Sequence, residues 1–180
     1  MKIKGKLMDA AGMRNTLRRL AHQVIEKNDG AEDLVVIGIR TRGVTVARRV
    51  KADIDAIEGT DVPMGVFDIA LYRDDLEDPA SEIEFSGSEI SFGVDGKTVL
   101  LCDDVIYTGR TVRAAISEVM QLGRPAKIQF LALIDRGHRE LPFKADFTGK
   151  SVPTSKREGI AVRFAEDDGE DGVYIYEKEK

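Results

Sequence analysis

The chain has 180 residues, 42% hydrophobic and 33% charged, with a single cysteine, Cys102. That length suits one domain, since domains commonly run to roughly 100–200 residues, and one cysteine excludes an intramolecular disulfide and fits a reducing compartment. No apolar run approaches the ~20 residues that span a bilayer, and no apolar signal core follows the basic residues 1–6, so a cytoplasmic protein with no membrane partner is expected.

The net charge of −5 conceals segregation. Residues 1–27 carry seven Lys/Arg against Asp9 and Glu26, residues 53–95 carry thirteen Asp/Glu against Arg73, residues 136–163 are basic again, and the tail from Glu166 is acidic. A global acidic balance argues against nucleic acid, but the local field is what steers a polyanion. Patchy solvated faces are the plain alternative.

In chain order, the apolar spacing of Met13, Leu17, Leu20 and Val24 predicts a helix over 13–27. Arg14, Arg18 and His22 lie four apart on another of its faces, with Arg19 beside them. Residues 34–39 form a continuous apolar run, as expected of a strand buried on both faces. A helix follows over 44–57 and a strand over 63–71. Residues 73–96 are acidic and weakly periodic, which predicts a long mobile loop with room for a hairpin. Residues 99–102 read as a third strand and 111–122 as a helix stopped by Gly123 and Pro125. Residues 128–134 make a fourth strand, 135–158 are mostly loop, and 160–164 and 173–176 are short late strands. Strands alternating with helices imply an α/β fold with a parallel twisted sheet flanked by helices, in one domain over 1–180.

Chemistry concentrates at 99–111, where an apolar strand runs into Asp103-Asp104, a small-residue turn and a helix. In parallel sheets ligands sit beyond the carboxyl ends of strands. Gly109 lets backbone approach a ligand, Thr108 and Thr111 offer hydroxyls, and the helix start aims free N–H groups at the same point, which suits a phosphate monoester. Asp103 and Asp104 would repel phosphate directly. They suit ribose hydroxyls one step away, or Mg²⁺-bound water. Paired aspartates after a strand also occur as plain metal sites or caps. No GxxxxGK[ST] is present.

The 99–111 segment resembles the motif that binds phosphoribosyl pyrophosphate (PRPP) in type I phosphoribosyltransferases. Ala21-His22, residues 39–43 (IRTRG), 68–75 (DIALYRDD), 135–142 (DRGHRELP) and 145–155 (ADFTGKSVPTS) extend the likeness over nearly the full chain. With them the chain is similar to the family of pyrimidine operon attenuation proteins that double as uracil phosphoribosyltransferases. Ala70 stands where that family suggests Thr and Cys102 where it suggests Val; the loop after Asp75 is short and the tail unusually acidic.

The resemblance implies a type I phosphoribosyltransferase fold with a small hood from about residue 135 onward. It implies the reaction of uracil with PRPP and Mg²⁺ to give UMP and pyrophosphate. Thr41, Arg42 and Gly43 would form the pyrophosphate loop, with a cis peptide before Arg42; Gly43 permits close backbone approach and Arg42 can pair with phosphate oxygens. A basic turn is the alternative reading of TRG. Arg42, Asp103 and Asp104 are the expected catalytic groups, with Mg²⁺ held through PRPP near the two aspartates. Tyr72, Arg73, Asp74 and Asp75 with the following loop would act as a lid, or Tyr72 and Arg73 simply pack and solvate it. Arg110 faces phosphate or solvent. Tyr107 stands where purine-using relatives carry an acid that serves N7; uracil has no N7, so Tyr107 fits a pyrimidine, unless it only packs on the loop. Arg136, with residues 152–157, would sit over the base.

The resemblance also implies binding of pyrimidine-operon leader mRNA, favoured by UMP. Arg14, Arg18, Arg19, His22 and Lys27 on the first helix and Arg139, Lys144 and Lys150 around a second basic loop are the expected RNA contacts. A homo-oligomer, dimer or larger, is expected. A purine-type transferase without RNA function, and an RNA regulator with vestigial activity, are the competing functional readings.

Overall fold

The computed structural model describes residues 2–69 and 88–178. The lid expected around Tyr72, Arg73, Asp74 and Asp75 lies outside them. The elements are β1 (Lys2–Met8), α1 (Ala10–Asn28), β2 (Leu34–Ile39), α2 (Arg42–Glu58), β3 (Met64–Phe67), β4 (Thr98–Ile106), α3 (Arg110–Leu122), β5 (Lys127–Asp135), β6 (Phe147–Ser151), β7 (Glu158–Arg163), the short turn α4 (Ala165–Asp168) and β8 (Gly172–Glu177). Strands β3-β2-β4-β5-β6 form a five-stranded parallel sheet, and β1-β8-β7 form a small antiparallel one.

The period-two alternation of the central strands divides the core. Leu34, Val36, Leu100, Cys102, Leu131 and Leu133 pack under α1 and α2, whereas Val35, Ile37, Val99, Leu101, Phe130 and Ala132 pack under α3. On α2, Val46, Ala47, Val50 and Ile54 are fully buried; burial of a Val or Ile side chain stabilises by about 1.5–3 kcal/mol. Cys102 is fully buried, and burial pushes its thiol up out of the titrating range. It acts there as a small apolar side chain, which suits a position where Val was expected.

The helices start and stop for local reasons. Asp9 caps α1 by accepting from Gly12 N at 2.7 Å, and Asp29 ends it in the left-handed region. Gly59, at φ 66°, closes α2. Among the described residues no helix is long and apolar enough to cross a membrane.

Three elements differ from expectation. β1 is a basic, mostly exposed strand that pairs with β8, so the hood is not confined to residues after 135. β6 lies within the segment expected to be loop. The third strand runs on to Ile106, so Asp103 and Asp104 sit within β4 rather than after it.

Candidate active site and basic face

A cavity of about 460 Å³ opens where the carboxyl ends of β2 and β4 meet the small sheet. Thr41, Arg42, Asp103, Asp104, Tyr107, Thr111 and Arg136 line it. Seven of the expected ligand-binding residues therefore converge, from three separate stretches of sequence.

The β2–α2 loop is packed by two glycines. A Cβ at Gly38 would stand 2.6 Å from Val44 Cα, and one at Gly43 would stand 2.6 Å from Cys102 O. Gly43 is buried against β4 and does not line the cavity. Its smallness is needed for the neighbouring strand. The cis peptide lies between Arg40 and Thr41, one bond earlier than expected. Arg42 pairs side-on with Asp168: Nε donates to Oδ2 at 3.2 Å and Nη2 to Oδ1 at 2.6 Å. That bond from Arg42 holds the Asp168 carboxyl below its ordinary range.

On β4, Asp103 is almost wholly buried and its Oδ1 accepts from Asp104 N at 2.9 Å. Beyond it, Gly109 adopts φ 96°, a left-handed conformation that favours glycine, and begins α3. Thr108 is buried, and its hydroxyl accepts from Arg110 N at 3.2 Å. Thr111 lines the cavity. Arg110 points outward, where it meets Glu140 at 2.8 Å, with more than half of each side chain exposed. Of its two alternatives, the solvent-facing one holds.

Arg136 is the most constrained cation of the site. It is 7% exposed, its Nε donates to Thr154 Oγ1 at 3.2 Å, its Nη2 donates to the Glu158 carbonyl at 2.6 Å, and its guanidinium lies 4.1 Å over the Tyr107 ring. His138 meets Tyr107 edge-on with centroids 5.9 Å apart. Tyr107 thus both packs in the loop and borders the cavity.

Several lining residues were not picked out by sequence: Arg40, Ile160, Arg163, Asp168, Tyr176 and Lys178. Ile160, Arg163 and Tyr176 come from the small sheet, and Asp168 and Lys178 from the stretch read as an acidic tail.

The expected RNA contacts divide. Arg14, Arg18, Arg19, His22 and Lys27 are exposed along α1. The 144–150 segment lies against the same helix: Arg19 donates to the Gly149 carbonyl at 2.6 Å and Lys27 to Asp146 at 3.3 Å. Lys144 and Lys150 are exposed on it; Lys150 donates to the Leu7 carbonyl at 3.2 Å. Arg19 and Lys27 thus join α1 to the second basic segment, whereas Arg18 and His22 lie near Asp53 and Arg14 near Asp171. Arg139 takes no part in that junction. Its donors go to Asp135 (2.5 Å) and to the carbonyls of Phe143 and Tyr107 (both 2.8 Å), so it binds the 135–143 loop to the loop after β4.

A pocket at the carboxyl edge of a five-stranded parallel sheet, covered by a small antiparallel sheet, is the arrangement of the phosphoribosyltransferase class. The Phosphoribosyl transferase domain family matches residues 6–168. The fold is shared with a hypoxanthine-guanine phosphoribosyltransferase from Bacillus anthracis (TM-score 0.68, 20% identity, 97% of this chain and 98% of that one) and with the hypoxanthine phosphoribosyltransferase of Trypanosoma cruzi (TM-score 0.71, 16% identity, 99% and 98%). The chain is 54% identical to the bifunctional protein PyrR of Pelotomaculum thermopropionicum over 97% of its length and 96% of the relative's. It is 49% identical to that of Thermus aquaticus, with 99% of each covered. The chain belongs to the PyrR family.

Proposed function

We propose that the chain is a UMP-responsive RNA-binding regulator of pyrimidine operon expression, working in the cytoplasm by transcriptional attenuation, and that it also converts uracil and PRPP into UMP and pyrophosphate. The observation that carries this reading is the convergence of Arg42, Asp103, Asp104, Tyr107, Thr111 and Arg136 on one cavity.

The start of α3, with Thr108, Gly109 and Thr111, suits the 5-phosphate, because unsatisfied N–H groups and the helix dipole favour an anion there. Asp103 and Asp104 accept hydrogen bonds from the ribose hydroxyls. Thr41, Arg42 and the loop packed by Gly43 receive the pyrophosphate. As the bond from C1′ to pyrophosphate breaks and the bond from C1′ to the uracil nitrogen forms, negative charge collects on the leaving group, and a fixed guanidinium beside it stabilises that charge differentially. Tyr107 and Arg136 face the base, pre-organised by their stacking. Mg²⁺ bound with PRPP would supply charge neutralisation at the pyrophosphate. Asp103 and Asp104 suit an ion whose other oxygens come from ligand and water. Among the described residues no cluster of three or more His, Cys, Asp or Glu could hold a metal unaided.

The exposed basic residues of α1 and of the 144–150 segment support the RNA half. Phosphate contacts made by Arg14, Arg18, Arg19, His22, Lys27, Lys144 and Lys150 give salt-dependent affinity, with a slope of about −0.7 per phosphate neutralised on single strands. A homo-oligomer would bring several such sets together. UMP raises RNA affinity only by binding the RNA-competent form better. Two assays test the proposal. Incubation with PRPP, Mg²⁺ and single nucleobases should yield UMP from uracil; nucleotide from hypoxanthine but not uracil would refute the pyrimidine assignment. A gel shift with a pyrimidine-operon leader transcript should strengthen with UMP, and an absent shift at low salt would remove the RNA function.

A further inference from the structure

The acidic turn after β7 does not trail in solvent. It is fastened to the face of α2 that begins at the pyrophosphate loop. Arg42 pairs side-on with Asp168, Thr45 donates to Asp167 at 2.7 Å, and Arg49 binds both Glu166 (2.5 Å) and Asp171 (2.7 Å). These three α2 residues are three and four positions apart, so they present one stripe to the turn.

The Asp168 carboxylate is held apart from Arg42 as well. Its Oδ2 accepts from Phe164 N at 3.0 Å. The Phe164 side chain is wholly buried, and the Arg49 guanidinium lies 4.9 Å over its ring. The carboxylate is thus a fixed acceptor and Arg42 is the long, flexible partner. A guanidinium gripped through Nε and Nη2 keeps Nη1 and the second Nη2 hydrogen on its outer edge, and both Arg42 and Asp168 border the cavity.

We propose that Asp168 is a positioning residue: through Arg42 it aims a guanidinium edge at the pyrophosphate of PRPP, so the small sheet sets the geometry of the leaving-group subsite. The proposal rests on the reading of the cavity as a PRPP site. It makes a ligand-specific demand, because UMP carries no pyrophosphate and does not use Arg42.

The test is calorimetric titration of the full chain with Mg²⁺–PRPP and, separately, with UMP. Asp168→Asn keeps the size and an acceptor for Phe164 N but removes the charged two-oxygen grip on Arg42. PRPP affinity should fall about tenfold while UMP affinity is unchanged. In an Arg42→Ala background the same change should have no further effect, since the two act as one unit. Asp168→Glu keeps the charge that the turn needs to fold and should recover part of the PRPP affinity. PRPP binding by Asp168→Asn equal to or tighter than wild type overturns the proposal; tighter binding would make the carboxylate a competitor of pyrophosphate. Parallel loss of PRPP and UMP affinity with a lowered melting temperature also overturns it, by showing a role in folding alone. Wild-type protein that binds neither ligand would instead refute the cavity reading itself.

Discussion

Replacing Gly43 with alanine should drive the pyrophosphate loop off the central strand. The new Cβ would stand 2.6 Å from Cys102 O and 3.1 Å from both Asp103 Cα and Asp103 Oδ1. Cys102 is paired with Gly38 on one side and Leu131 on the other, so the strand is pinned and the loop must yield. Reaching ordinary contact at 3.4 Å requires a shift of about 0.8 Å, the difference of the two distances and of the order that overpacking imposes on backbone. Overpacking costs about 1–3 kcal/mol, and the better helix propensity of alanine returns at most ~1 kcal/mol. The steric cost wins, leaving a net loss near ~1–2 kcal/mol, or about 2–8 °C in Tm at this chain length. A misplacement near 1 Å can cost up to about 100-fold in rate, so kcat/KM for PRPP should fall far more than stability suggests. Thermal denaturation and steady-state kinetics read the two effects. A Gly43→Ala protein that melts with wild type and keeps its KM for PRPP would refute the packing argument.

Other perturbations follow from the same geometry. Arg136→Lys loses the planar contact with Tyr107 and leaves the half-buried Glu158 carbonyl short of its donor, so urea unfolding should show a loss of about 1–3 kcal/mol. Bonds from Arg42 and Arg49 lower the folded pKa values of Glu166, Asp168 and Asp171. Their stabilisation is therefore fully present above the unfolded carboxylate range near ~4 and is lost as pH falls from there through the lower folded values. Urea midpoints between neutral pH and pH ~3 should fall less steeply for Arg49→Met than for wild type, because the variant already lacks two of these pairs; equal slopes would contradict the assignment. Tyr107→Asp removes the ring beneath Arg136 and sets a carboxylate there, which should shift base preference from uracil towards hypoxanthine in competition assays.

Much of the architecture was legible because buried parallel strands must be apolar on both faces. Residues 34–39, 99–102 and 128–134 announce themselves for that reason, and so does the helical stripe of Met13, Leu17, Leu20 and Val24. The strands that escaped notice are edge strands. β6 reads Phe-Thr-Gly-Lys-Ser and β1 reads Lys-Ile-Lys-Gly-Lys-Leu-Met; half of each faces solvent, and the pattern dissolves into polarity. The candidate site divides in the same way. Loop motifs with fixed spacing pointed to Thr41, Arg42, Asp103, Asp104 and Thr111, because local backbone sets their geometry. Asp168 had no such signal. Its partner lies 126 positions away, and only the fold reveals that the acidic turn faces α2. Arg139 failed in the opposite sense. A basic residue in a basic loop suggested a polyanion, whereas it ties two loops together from inside.

The pairing of β1 with β8 bears on how the protein matures. Among the described residues β1 is the first strand and β8 the last, joined from Lys2↔Glu177 to Met8↔Val173. On the ribosome, β1 stays without its neighbour while everything between them is translated. Contacts this distant in sequence carry the largest loop-closure cost and form late. The five-stranded sheet, complete by Ser151, can assemble around α1, α2 and α3 first, with the nucleotide cleft left uncovered. Synthesis of residues 172–177 then supplies the strand that joins β1 to β7 and roofs the cleft, so a nascent chain gains a covered pocket only after β8 has been made.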